Sequence, residues 1–103
     1  MNQKTKHYRE MERHAGRAEA MLKQLANAKR LLILCQLLGG EETVLELAAH
    51  VGLSQSALSQ HLLKMKAAGL VQSEKRGQKV YYSIQSSEVR TILSVLHGIY
   101  CAE

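Results

Sequence analysis

Apolar residues recur at helical spacing over most of this chain and give way to β-branched and aromatic residues between positions 70 and 84. Met11, Ala15, Ala18, Leu22 and Leu25 form one stripe on a first helix over 4–26, whose other faces are charged. Arg30 to Leu38 is apolar almost all round, capped at Asn27 and stopped at Gly39-Gly40, which predicts the central core helix. A short third helix from Val44 to His50 places Val44, Leu47, Ala48 and Val51 towards that core. Ser54 then serves as an N-cap, so a fourth helix starts at Gln55 and directs Leu58, Leu62 and Met65 inward. Leu70 to Glu74 and Lys79 to Ile84 flank Lys75-Arg76-Gly77-Gln78, which reads as a two-stranded hairpin. A last helix over 87–101, begun after Ser86-Ser87, carries Val89, Ile92, Leu93, Leu96, Ile99 and Tyr100 as a second stripe. The expected fold is mainly α with a small β-hairpin: four helices, the hairpin and a fifth helix, in one domain spanning 1–103.

The third and fourth helices are separated by a tight turn containing Gly52, the spacing of a helix-turn-helix over 44–69. The hairpin that follows, 70–84, then reads as a wing with a cationic tip, making a winged helix-turn-helix. With Leu58, Leu62 and Met65 inward, the fourth helix presents Gln55, Ser56, Ser59, Gln60 and Lys64 elsewhere. Short amide and hydroxyl side chains donate to and accept from base edges, and the positive end of a helix suits phosphate, so this face fits a major groove. Gln55, Ser56, Ser59 and Gln60 are the candidate base readers, and Lys64, Arg76 and Lys79 the candidate phosphate contacts. His61 has two open readings, one facing DNA and one at the rim of the core. The competing reading of the whole face is an ordinary solvated helix surface.

Charge favours the first reading. The formal net charge is +5, and between Ser54 and Lys79 five cations stand against Glu74 alone. A basic stripe coinciding with a helix-turn-helix and wing points to a polyanion, double-stranded DNA. The chain has 103 residues and contains neither Trp nor Phe, so its core is built from Leu, Ile, Val, Ala and Met, near the small end of what buries its own interior. Dimerisation relieves that limit. The stripes of the first and last helices (4–26 and 87–101) are the candidate homodimer surfaces, with intramolecular packing as the alternative. The polar start Met1-Asn2-Gln3-Lys4 and the lack of a run of about 20 apolar residues lead to the expectation of a cytoplasmic protein without membrane contact.

In this order the elements resemble the ArsR/SmtB family of small winged-helix repressors. The resemblance is carried by Ala28-Lys29-Arg30-Leu31, by Leu53-Ser54-Gln55-Ser56-Ala57-Leu58-Ser59-Gln60-His61-Leu62, by Ala68-Gly69-Leu70-Val71 and by Val80-Tyr81-Tyr82-Ser83-Ile84. It implies a symmetric dimer that reads two operator half-sites about one helical turn apart and leaves the DNA when an effector arrives. Many members sense metals through thiolates on the first helix of the reading unit or through donors on the last helix. Val44 to His50 holds no cysteine, and the last helix offers only His97 with Ser86 and Tyr100, short of the roughly four donors of a closed zinc site. Neither a metal nor another cofactor is therefore expected, and a metal-responsive repressor is the less favoured alternative.

Cys35 and Cys101, with their settings Leu32-Ile33-Leu34-Cys35 and Ile99-Tyr100-Cys101, are similar to those of the sulfide- and polysulfide-responsive branch of the family, that of SqrR, BigR and HlyU. That likeness implies that sulfur bridges Cys35 to Cys101 and that reactive sulfur species or oxidants thereby change operator affinity. Read from composition alone, both cysteines are reduced thiols acting as small hydrophobes, Cys35 inside a leucine run. His97 lies four residues before Cys101, where an imidazolium favours a thiolate and the helix dipole opposes it, so the attacking thiol stays open. Gly98 admits two readings, close backbone approach near Cys101 and fraying of the last turn. A regulator of the same family that ignores its cysteines and competes with other repressors is the second functional reading. An enzyme is the third, and a thiol oxidoreductase would lack its Cys-x-x-Cys pair here.

Overall fold

The computed structural model describes residues 2–101, so both ends of the domain placed at 1–103 lie outside the described residues. The elements run α1 (Gln3–Leu25), α2 (Ala28–Leu38), β1 (Glu42–Thr43), α3 (Val44–Val51), α4 (Gln55–Ala67), β2 (Val71–Arg76), β3 (Lys79–Ile84) and α5 (Ser87–Tyr100). Each helix starts where a side chain can accept from its orphan N–H groups: Asn2, Asn27, Thr43, Ser54 and Ser86 are the N-caps. At Thr43 the arrangement is reciprocal. Its hydroxyl accepts from the Glu46 N–H, and the Glu46 carboxylate accepts from the Thr43 N–H at 2.9 Å, a capping box. These hydrogen bonds hold the Glu46 carboxyl below the usual carboxylate range. Gly52 ends α3 in the left-handed conformation at φ 68°, the backbone state that swings the chain from α3 into α4.

The expected two-stranded hairpin is part of a three-stranded antiparallel sheet in the order β1-β3-β2. The added strand, Glu42–Thr43, pairs with Tyr82 and Tyr81 and so joins the entrance of the helix-turn-helix to the wing. The wing itself differs from expectation at both ends. Its first strand begins at Val71, and pairing continues to Arg76 opposite Lys79, leaving a loop of only Gly77 and Gln78. Gly77 sits at φ 64° while Gln78 does not cross to positive φ, the pattern of a tight hairpin turn with glycine at its first central position.

Ile33, Leu34 and Leu37 of α2, Leu47 of α3, and Leu58, Leu62 and Met65 of α4 are fully buried together with Val71, Val89 and Leu93. The α2 helix is thus central, contacting α1, α3, α5 and β3. It is not buried all round: Leu32 is 51% exposed and Cys35 is exposed, because the face of α2 turned away from the helix-turn-helix has no cover within this chain. A core role for Cys35 as a small hydrophobe is overturned on that ground.

The two long apolar stripes divide in the same way. Leu25 is buried and Met21 packs on the core, whereas Met11 and Leu22 stand exposed; Val89 and Leu93 are buried, whereas Ile99 and Tyr100 are 64% and 81% exposed. Intramolecular packing therefore accounts for only one end of each stripe. With α1 reaching outward, the molecule measures 57 × 34 × 21 Å and its radius of gyration is 16.0 Å, against about 13 Å for a compact 100-residue domain. Gly98 faces open space with nothing near its missing Cβ, so it serves no close backbone approach. No helix among the described residues is long and apolar enough to cross a membrane.

Candidate functional site

The fourth helix is fixed from both ends. Ser54 Oγ accepts from the Ala57 N–H at 3.2 Å, and Leu58, Leu62 and Met65 seat the inner face, so rotation about the helix axis is settled. Gln55, Ser56, Ser59, Gln60 and Lys64 are all exposed as a consequence, and they form one continuous outer surface. Leu63, absent from the sequence-derived set, lies on that surface and is 68% exposed. Lys66, also outside the set, donates to Ser73 Oγ at 2.6 Å and thereby ties α4 to β2.

His61 does not belong to that surface. It is half-buried, and its Nδ1 accepts from Nε of Arg30 at 3.3 Å, while Arg30 Nη1 donates to Gln24 Oε1 at 2.8 Å. The reading at the rim of the core is the one realised, with α4 fastened there to the start of α2. Burial, then the positive charges of Arg30 and Lys64, push the imidazole pKa down. A histidine whose folded pKa lies below its unfolded value adds stability above the unfolded pKa and withdraws it as pH falls through the folded one. Wild type is accordingly expected to lose stability below about pH 6.5, and His61→Gln to lose less over the same interval, measured by denaturant titrations across pH.

A second polar fastening joins the other end of α2 to α3. Gln36 Nε2 donates to Glu42 Oε1 at 3.0 Å, and His50 Nδ1 lies 2.8 Å from the same oxygen. Glu42 Oε2 is buried with no partner. The α2 helix is therefore held to the helix-turn-helix at both ends by hydrogen bonds across an apolar middle. Neither fastening was legible beforehand, because its link to the helix-turn-helix, Arg30 to His61 and Gln36 to His50, spans 31 and 14 positions and has no periodicity.

Arg76 lies in an ion-pair cluster of the wing. Its Nη2 donates to Glu41 Oε2 at 2.9 Å and to Glu74 Oε2 at 3.0 Å, Nη1 donates to Glu41 Oε1, and the guanidinium lies 4.7 Å from the centroid of Tyr81. Lys75 and Lys79 are exposed beside the loop, and the paired Arg76 side chain is also 44% exposed.

Cys35 and Cys101 are both free and exposed, one on α2 and the other capping the end of α5, which packs against α2. Partial burial pushes the Cys35 thiol pKa up, and the negative charge of a Cys101 thiolate adds to it. Exposed His97 contributes its carbonyl oxygen, which accepts from the Cys101 N–H at 2.8 Å. Among the described residues no three His, Cys, Asp or Glu side chains cluster as metal donors.

Comparison with known proteins agrees with this architecture. Residues 27–73 match the model of the bacterial regulatory protein, arsR family. The transcriptional activator HlyU of Vibrio cholerae is 47% identical over 92 residues, covering 89% of this chain and 85% of that protein. The crystal structure of the transcriptional repressor BigR from Xylella fastidiosa superposes with a TM-score of 0.87 at 29% identity, over 93% of this chain and 98% of that one. A homodimeric winged helix-turn-helix DNA-binding domain from Mycobacterium bovis, a possible ArsR-family regulator, superposes at 0.69 with 26% identity, over 96% of this chain and 86% of that one. From its recognition helix to its wing, this chain belongs to the ArsR family and is a winged-helix, DNA-binding transcriptional regulator, not an enzyme.

Proposed function

We propose that the chain is a homodimeric, sequence-specific repressor whose operator affinity is switched when reactive sulfur species or oxidants bridge Cys35 to Cys101. The observation that carries the switch is the exposure of both thiols on two helices in mutual contact. The dimer is supported by the uncovered apolar ends of the α1 and α5 stripes and by the homodimeric relative. In this reading Gln55, Ser56, Ser59 and Gln60 meet base edges, and Lys64 and Lys79 meet phosphates, in two half-sites related by the dimer axis. A bound dimer acts by occluding whatever else would occupy that stretch of DNA, in the cytoplasm where the DNA lies.

The chemistry balances without a further oxidant when polysulfide is the reagent. Each thiolate takes one sulfane sulfur and expels a shorter polysulfide; condensation of the two resulting persulfides closes a trisulfide and releases hydrogen sulfide. Peroxide instead takes two electrons and two protons from the thiols, leaving a disulfide and water. A direct disulfide needs Cα atoms within about 7 Å, whereas each inserted sulfur adds a bond of about 2.05 Å and relaxes that limit.

The test is intact mass and operator affinity on the same samples, reduced protein having been treated with polysulfide or with peroxide. A Cys35-to-Cys101 link containing added sulfur, with weaker DNA binding only after polysulfide, makes the protein a reactive-sulfur sensor. Loss of two hydrogens and weaker binding after either reagent makes it a general redox switch. Unchanged affinity whatever the mass leaves the cysteine-insensitive regulator.

A further inference from the structure

We infer that Arg76 is a positioning residue for DNA binding, which sets the wing against the α2–β1 connection instead of contacting phosphate. Its geometry is that of a fork engaged at both terminal nitrogens and stacked on one face, in a side chain that is 44% exposed. The two terminal nitrogens engage both oxygens of Glu41, one of them also engages Glu74, and the π face stacks on Tyr81. Those partners come from three places: Glu41 from the connection that follows α2, Glu74 from β2 and Tyr81 from β3. Planar, bidentate pairing constrains orientation as well as distance, which a point charge does not. The cluster holds one cation and two carboxylates, so turning it towards DNA would bring net negative charge to phosphate. Its value lies in direction: Arg76 pairs with Lys79 across the two-residue loop, so fixing Arg76 aims the exposed Lys75 and Lys79.

The phosphate-contact and positioning roles predict opposite signs for one substitution. Glu41→Gln removes a negative charge near the DNA face, which by charge alone strengthens binding. If Arg76 positions the wing, the same change weakens binding, because the fork loses its bidentate partner.

The experiment measures affinity for a duplex selected by the wild-type dimer from a random-sequence pool, across a range of salt concentrations, with thermal midpoints taken on the same proteins. Glu41→Gln and Arg76→Lys are both expected to bind roughly fivefold more weakly, the upper range for an exposed ion pair, with the salt slope unchanged. Lys79→Gln supplies the contrast and is expected to lower the slope by about 0.9 per protomer, about 1.8 for the dimer, the signature of one lost phosphate contact in each protomer. Tighter binding by Glu41→Gln, with a slope steeper by about 0.9 per protomer, would show Arg76 released onto phosphate and overturn the inference. So would wild-type affinity in Arg76→Lys, since lysine replaces arginine at a phosphate but not in a stacked fork.

Discussion

Cys35→Ser and Cys101→Ser are each expected to bind the operator as the reduced wild type does, and to keep that affinity through a polysulfide treatment that weakens wild type about tenfold or more. Tenfold corresponds to about 1.4 kcal/mol, the difference in DNA affinity that the tied and untied states must have. In the proposed switch such a difference would arise between α2 and α5. One end of the tie is on α2, which is fastened to α4 through Arg30 and His61, and to β1 and α3 through Gln36, Glu42 and His50. The other is on α5, whose outer apolar residues lie uncovered in the single chain. Drawing α2 and α5 together would shift the reading units relative to the dimer axis and alter half-site spacing.

The Cys35 thiol pKa is pushed up, so at neutral pH less of it is thiolate than in an ordinary cysteine, and thiolate is the nucleophile. Sulfur uptake by Cys101→Ser, which keeps only Cys35, is therefore expected to be slow at neutral pH and faster as the solution is made alkaline. Mass spectra taken over time at several pH values check this, and a rate independent of pH would refute it.

The largest expected effect on stability comes from adjacent leucines with opposite surroundings. Leu62→Ala removes a fully buried side chain from beneath α4 and is expected to cost about 2–5 kcal/mol, a large share of the roughly 5–15 kcal/mol that holds a domain folded. Leu63→Ala trims a side chain that is 68% exposed and should change stability by less than about 0.5 kcal/mol. Denaturant titrations at one protein concentration compare them, and a Leu63→Ala loss matching that of Leu62→Ala would mean α4 is rotated from the orientation described. DNA binding should fall with folding in Leu62→Ala.

The contrast between these neighbours also marks what the sequence discloses. The inner face of α4 was legible because a cap at Ser54 sets the phase and Leu58, Leu62 and Met65 keep it, both being local signals. Along α2 the same logic fails. A run of Leu, Ile and Cys has apolar groups in every direction, so periodicity cannot say that Leu32 and Cys35 face outward. A two-residue strand such as Glu42–Thr43 has no period at all and exists only through its pairing with Tyr81 and Tyr82. Arg76 read as a phosphate contact because its bidentate partner Glu41 is 35 positions away, and Glu74, two positions before it, was the one local sign of pairing. The acidic pair Glu41-Glu42 was the available hint, as it precedes the basic reading unit and both members turn out to hold polar groups of other elements.

The long reach of α1 has a consequence for dosage. In the proposed homodimer, a helix that leaves Met11 and Leu22 exposed on its own chain gains their burial only when the second chain arrives, so that part of the folding free energy scales with the logarithm of protomer concentration. At protomer concentrations below the dimer dissociation constant the balance would tip towards single chains, each carrying one reading unit and losing the mutual reinforcement of two half-sites. Occupancy of a paired site then rises with nearly the square of expression level, and a modest change in synthesis or turnover becomes a sharp change in control of the gene.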